Sequence, residues 1–499
     1  MPTGSSEVPV RVLSRRLVKA SDPSLQPHVV TFSNLDLYPD NVQASIVCLY
    51  PKLPKSSPGG FYAVVSTFED VLPTLLSHFF PLAGRIVINP SSGVPELHCH
   101  NQGAELVVGE VGVALGSLDY GLAEESLKKI VLPYPEDVTL SVQLLSFACG
   151  AFSVVWANNN LLNDGNAITM CVRMWSELAR TGGSIATVEA GAVSVNHDRS
   201  VFRPRDPPAY SDALDAMFDT YDDHRTVNAL TAAASFLERL YYVEASDIAK
   251  LRDMATVTEL QRPSRVQAVS AYLWKVLAAV VAASRVPEER CCMGWMVDAR
   301  RRVKSPELVP AMRNYFGNVT AYALFQHLGG AVVEEIRRKP LAEVAAMVRE
   351  IITSIDYDEY LQELVDVGSR YPWLENLKPN KKSRASHIWR GTPMLDWVEV
   401  HKTEHVMEKG VLGMGSPTLN QTVFASFPLD TDFGFGDAAL ALPMCDYGRL
   451  CSGYLSVGAR PGEDGSWLLS AYIWPQLAAA LESDGIFKPL MAEYLGLTP

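Results

Sequence analysis

Three stretches of the chain combine residue types that could do chemistry. The first runs Trp156-Ala157-Asn158-Asn159-Asn160-Leu161-Leu162-Asn163-Asp164-Gly165-Asn166. Asn, Asp and Gly suit a tight turn, and Asp164 or Asn166 can cap a following helix. Three consecutive asparagines at the end of an apolar run need hydrogen-bond partners if buried, which makes them candidate site residues. The second stretch is Asp432-Phe433-Gly434-Phe435-Gly436-Asp437-Ala438-Ala439. Gly434, Gly436 and Ala439 fit a dinucleotide G-x-G-x-x-A spacing, but Asp437 would face the pyrophosphate and the pattern lies late in the chain. A tight loop is the better reading. The third is His401-Lys402-Thr403-Glu404-His405, which fits the zinc spacing H-x-x-E-H. It lies in a stretch with little periodicity and no third ligand is evident, so a solvated surface is expected and no metal is assigned. His98 and His100 flank Cys99 on a strand and read as structural.

The elements around the first stretch can be read from periodicity. Val138 to Leu144 alternates apolar and polar residues, as a half-buried strand does, and Phe152 to Trp156 is a buried strand. Ala167 to Arg180 is helical. Val8 to Val18 is a strand, and Phe61 to Phe80 a helix interrupted by Pro73. Further on, strands are expected at Leu237–Val243, Met293–Val297, Thr422–Phe427 and Trp467–Ile473. Helices are expected at Ala245–Met254, Val266–Ala283, Ala342–Ile355 and Gln476–Glu482. The mixture predicts an α/β or α+β chain with two sheets. Domains are expected at residues 1–200 and 236–499, with a crossover loop at 201–235 and a surface insertion at about 369–415.

Composition narrows the function. The chain has 499 residues, 48% hydrophobic and 20% charged, enough for a large core. Its net charge of −13 and pI near 5.3 argue against nucleic acid and anionic membranes as partners. The same field repels anionic ligands unless a local basic patch offsets it. The apolar run Leu273–Ser284 contains Lys275 and is too short to span a bilayer. The start has no secretory core and the end no peroxisomal address, so a cytoplasmic protein is expected. Its eight cysteines form no C-x-x-C pair and read as reduced thiols. Neither a G-x-S-x-G elbow nor a G-K-S/T phosphate loop is present.

Taken together, the motifs resemble the plant BAHD acyltransferases, which move acyl groups from coenzyme A thioesters to alcohols or amines. The family's H-x-x-x-D-G is matched by Asn160-x-x-x-Asp164-Gly165, and its D-F-G-W-G by Asp432-Phe433-Gly434-Phe435-Gly436. Pro81-Leu-Ala-Gly84-Arg85, Ala271-Tyr-Leu-Trp274, Asp298-Ala-Arg300 and Tyr315-Phe-Gly-Asn318 match further segments in the family's order. The resemblance implies two similar chloramphenicol-acetyltransferase-like domains, each a mixed sheet flanked by helices, with a channel between them. It implies acyl-CoA as co-substrate with no bound cofactor, a small-molecule alcohol or amine as partner, and a monomer.

It also implies residue roles. The family's histidine is the general base, and here Asn160 stands in its place. A carboxamide cannot take the acceptor's proton near neutral pH, though it can donate or accept a hydrogen bond. Losing a positioned base removes about 10² to 10⁴ in rate. Asp164 pairs with Arg300 to hold the loop. Phe435 takes a tryptophan's packing place. Thr422 keeps a hydroxyl near the reacting carbonyl, and Ser264 and Arg265 align with the coenzyme-binding stretch. Ser426 replaces an arginine that binds acidic acceptors in some members, so such acceptors are disfavoured. The expected function is acyl transfer with an atypical active site. The alternatives are an accessory or binding protein of acyl or wax metabolism, or a lyase using the same channel.

Overall fold

Strand and helix patterns of the two halves resolve into two mixed sheets in a computed structural model. It describes residues 8–37, 43–53, 59–183, 194–215, 218–220, 228–230, 236–258, 262–285, 288–324, 330–370, 406–408, 416–427, 429, 431–445, 452–462 and 464–497. His401, Glu404 and His405, most of the expected insertion and part of the expected crossover lie outside the described residues.

The first sheet has six strands in the order Val10–Val18, Ala104–Val111, Leu140–Phe147, Phe152–Asn159, Gln43–Tyr50 and Leu440–Cys445. Ala104–Val111 and Leu140–Phe147 run parallel, and the other neighbours are antiparallel. The last strand comes from the range expected for the second domain and pairs with Gln43–Tyr50. The second sheet has eight strands. Its centre sets Thr418–Val423 parallel to both Arg290–Asp298 and Gly453–Ala459.

Helices Gly60–His78 and Gly165–Arg180 cover one face of the first sheet through Phe68, Leu72, Leu75, Val172 and Trp175. Pro73 sits inside the first of these without ending it, contrary to the expected interruption. The core helix of the second sheet, Arg265–Ala282, buries Val269, Leu273, Trp274, Leu277 and Val281. By length and composition it could cross a membrane, but here its apolar side is the core. Lys275 donates to the carbonyls of Ile336, Arg337 and Lys339 at 2.5–3.0 Å, neutralising a helix carboxyl end.

A third apolar cluster joins the sheets. Val47, Leu145 and Val155 of the first pack with Leu240 and Leu468 of the second and with Leu490 and Leu495 near the carboxyl end. This is why Leu140–Phe147 is buried on both faces and not half-buried as its alternation suggests. Its polar residues are satisfied internally. Ser141 Oγ donates to Glu105 at 2.6 Å, and Gln143 exchanges hydrogen bonds with the backbone of Leu132 at 2.7 and 2.8 Å.

Candidate active site

Strand Phe152–Asn159 delivers the asparagine run to the edge of the core, and the chain turns through residues 160–164 into helix Gly165–Arg180. Asn159 Oδ1 accepts from the amide of Leu161 at 3.0 Å, which makes the turn. Asn158 Nδ2 donates to Asn163 Oδ1 at 3.1 Å across it. Asp164 caps the helix, its Oδ1 accepting from the amide of Ala167 at 3.1 Å. Two of the three asparagines are therefore spent on the turn. Asn160 is half-buried, and among the described residues its carboxamide has no hydrogen-bond partner.

Three distant residues fix this turn. Asn318 Nδ2 donates to the carbonyl of Asn160 at 2.8 Å. Arg199 donates to the carbonyl of Leu162 at 2.9 Å. Arg300 donates to Asp164 Oδ2 at 2.7 Å, to Asp298 at 2.9 Å and to the carbonyl of Gly317 at 2.5 Å. Asp164 Oδ2 also accepts from the amide of Val319 at 2.9 Å. The Arg300 and Asp164 side chains are only 6% and 8% exposed, so the hydrogen bonds around the pair offset the cost of burying its charges, although Arg300 Nε itself is buried without a partner among the described residues. Burial opposes the Arg300 charge, but Asp164 and Asp298 outweigh it and hold the guanidinium above its ordinary range. Asp36 anchors the other two ties, accepting from Arg199 at 3.0 Å and from the amide of Asn318 at 3.0 Å.

Asp36, Arg199 and Asn318 carry much of the positioning, yet only Asn318 lay within a recognised segment. The signal for Asp36 was the local pattern Ser33-x-x-Asp36, whose serine amide and hydroxyl donate to it at 2.9 and 2.8 Å. Arg199 had no local signal. His197 beside it is half-buried against Phe80 and Phe316, and loss of solvent around the ring pushes its imidazole down to about 4. It is neutral at physiological pH and its Nε2 meets the carbonyl of His78 at 2.9 Å.

The Asp432–Gly436 loop sits at the far end of the same helix. Asp432 Oδ1 accepts from the amides of Gly434 and Gly436, both at 2.9 Å. Both glycines have positive φ, 99° and 91°, which disfavours other residues there. Arg180 donates to the Asp432 carbonyl at 2.5 Å. Phe433 stacks on Trp156 at 5.5 Å, and Phe435 meets Tyr50 and Phe152 edge-on at 5.8 and 5.5 Å. The loop therefore completes the first sheet's aromatic core.

Thr422 lies near the end of Thr418–Val423, half-buried between Met296 and Ser456. The strand stops there, and Phe424–Ser426 form a helical turn where a strand was expected. Phe424 rests on Gly165: a Cβ at 165 would lie 2.7 Å from Phe424 Cζ. The two halves thus meet where the motif helix begins. Ser264 and Arg265 are elsewhere. Ser264 caps the core helix with Gln267, and Arg265 donates to the carbonyl of Gly465 at 3.2 Å and lies over Trp467. Both are exposed. No three His, Cys, Asp or Glu side chains gather as metal ligands among the described residues. A cavity of about 300 Å³ opens between the motif helix and the Arg300–Tyr315 segment, with Asn166, Arg173, Arg300 and Phe427 in its walls.

Comparisons with known proteins agree with this frame. Omega-hydroxypalmitate O-feruloyl transferase of Arabidopsis thaliana is 25% identical over 352 residues, covering 67% of this chain and 70% of that protein. Anthranilate N-benzoyltransferase protein 1 of Dianthus caryophyllus is 26% identical over 316 residues, covering 61% of this chain and 66% of that protein. Among solved structures, TRI101 of F. sporotrichioides, complexed with coenzyme A and T-2, shares the fold with a TM-score of 0.65. Identity to it is 18%, over 94% of this chain and 99% of that one. A model of the Transferase family matches residues 8–399, most of the chain, and the protein accordingly belongs to that family, the BAHD acyltransferases.

Proposed function

We propose that the chain transfers an acyl group from an acyl-coenzyme A thioester to a hydroxyl or amine of a small specialised metabolite. Asn160 stands at its centre in place of a basic histidine. One observation carries this reading. The turn is tied at three points by Asn318, Arg199 and Arg300, while the Asn160 carboxamide has no partner among the described residues. A relic would not need so much support for one unengaged side chain. Both relatives described above are acyltransferases by name, one forming esters and one amides, which supports either class of acceptor.

In the reaction the acceptor oxygen or nitrogen attacks the thioester carbonyl, the C–S bond breaks, and the acceptor's proton ends on the coenzyme thiol. Asn160 orients the acceptor or donates to the developing oxyanion, with the Thr422 hydroxyl as a second donor. Solvent or the substrate itself relays the proton. Asp164 acts through Arg300 and the turn, so it is a positioning residue. Coenzyme A contacts are assigned to Ser264 and Arg265, both exposed at the amino end of the core helix. Of the six cysteines whose side chains are described, five are buried and all six are free, as suits a cytoplasmic protein; a monomer completes the proposal.

Calorimetric titration with coenzyme A and a few acyl-CoAs tests the donor side. Turnover of Asn160→Ala and Asn160→His tests the centre. Saturable binding is expected, with Asn160→Ala losing at least about tenfold in turnover, the scale of one oriented hydrogen bond. No binding at millimolar coenzyme, or unchanged turnover in Asn160→Ala, overturns the reading. The missing base favours an accessory or lyase role as the second reading, and failure to bind coenzyme A moves it ahead.

A further inference from the structure

We infer that the cavity beside the motif helix is a carboxylate site, and that the small acceptor carries an acid group held there by Arg173, Arg301 and Arg313. The inference rests on the transferase reading only for the word acceptor; the anion site stands on the cavity itself. Arg173 projects from the motif helix, and Arg301 and Arg313 from the segment that follows strand Arg290–Asp298. All three are exposed, and among the described residues none of their guanidiniums makes an ion pair or hydrogen bond. Among the described residues no acidic side chain lines the cavity. In a chain of net charge −13, three uncompensated guanidiniums around one concavity are the local patch that an anionic ligand requires. Arg300 is also in the wall, but Asp164, Asp298 and Gly317 already occupy it.

Guanidinium forks match a carboxylate with two parallel hydrogen bonds. Phe427 supplies an apolar wall against which a ring can lie, and Thr169 and Asn166 line the same cavity. The volume, about 300 Å³, suits a compact ring compound. The cavity reaches the motif turn through Asn166, two residues after Asp164, while Asn160 and Thr422 are not among its lining residues. The coenzyme contacts proposed above lie on a different helix. Ser426 disfavours acidic acceptors when the sequence is read alone. In the fold its exposed hydroxyl donates to the carbonyl of Val423 at 2.9 Å, while Phe427 next to it borders the arginine cavity. Charge absent at position 426 is supplied from two neighbouring elements.

The test is calorimetry on the full chain with hydroxybenzoate, its methyl ester and coenzyme A. It compares the natural protein with the triple variant Arg173→Gln, Arg301→Gln, Arg313→Gln and with the matching triple lysine variant. Hydroxybenzoate is expected to bind saturably and the ester at least about tenfold more weakly, the worth of one charge-assisted hydrogen bond. The glutamine variant loses at least about tenfold for the acid, the lysine variant less, and coenzyme A affinity stays within about twofold in both. Equal binding of acid and ester overturns the proposal, as does no saturable binding of the acid up to about 10 mM. Loss of coenzyme A affinity in the glutamine variant also overturns it, because the cavity then holds the donor's phosphates. If the natural protein binds the acid but not coenzyme A, the transferase reading fails and the carboxylate site stands.

Discussion

Gly165 is a residue at which the two halves touch, and its role is spatial. As the first residue of a helix it has no need of unusual backbone angles, and helix propensity alone would favour alanine. The Phe424 ring decides otherwise, since an added methyl would lie 2.7 Å from its Cζ and nearer still to Cε1. Gly165→Ala is expected to destabilise by about 1–3 kcal/mol, the usual cost of overpacking. In thermal unfolding Gly165→Ala, Phe424→Ala should recover part of that loss relative to Phe424→Ala alone. A neutral Gly165→Ala would show that the ring simply moves aside. At this scale the legible part was local: Asn160, Asp164 and Gly165 share one short stretch, and Arg300 lies in a segment with its own spacing. The remaining ties join partners far apart in the chain. Arg199 and Asp36 are separated by 163 residues, and Asp36 and Asn318 by 282. No periodicity marks such pairs.

Helix Arg265–Ala282 separates two roles that its first residues could play. Ser264 Oγ accepts from the amide of Gln267 at 3.2 Å, and Gln267 accepts from the amide of Ser264 at 2.8 Å, a complete capping box. Removing the hydroxyl costs about 0.5–2 kcal/mol in stability whatever else it does. Ser264→Ala and Ser264→Asp distinguish the roles, because aspartate keeps the cap but places a negative charge near any phosphate. If Ser264 contacts coenzyme A, Ser264→Asp should hold the melting temperature and weaken coenzyme binding by about tenfold or more in calorimetry. Undiminished binding in Ser264→Asp would reduce Ser264 to a cap. Elements of this kind were readable where apolar period and punctuation agree. Leu237–Val243, Ala245–Met254 and Trp467–Ile473 have the expected bounds. Thr418–Val423 was placed four residues late because Asn420 and Gln421 break its apolar pattern. Their oxygens are met by neighbouring elements, though Gln421 Nε2 has no partner among the described residues: Tyr322 donates to Asn420, which donates to Ser452 at 3.1 Å, and Ser270 of the core helix donates to Gln421 at 2.6 Å. A buried strand with internal polar partners looks like a loop to any test based on hydrophobicity.

The molecule as a whole is two sheets that cannot be cut apart at a single point in the chain. Strand Leu440–Cys445 completes the first sheet from the far end of the sequence, pairing over six residues with Gln43–Tyr50. The Phe433 and Phe435 rings just before it fill the aromatic cluster around Phe68 and Trp156. Without these segments, strand Gln43–Tyr50, whose last six residues are buried, would become an unpaired apolar edge. The third cluster would lose Leu440, Leu442 and Leu468 as well. Exposing several fully buried side chains, each contributing about 1.5–3 kcal/mol, exceeds the usual net stability of a domain. Residues 1–235 expressed alone are therefore expected to be insoluble or to lack a cooperative thermal transition. Co-expression with residues 236–499 should restore a soluble complex that melts cooperatively. A grafted copy of residues 429–446 joined to the first fragment through a flexible linker should restore part of the transition by itself. A folded first fragment without either addition would mean that the exchanged strand only decorates a domain already complete, and that the chain divides cleanly near residue 236.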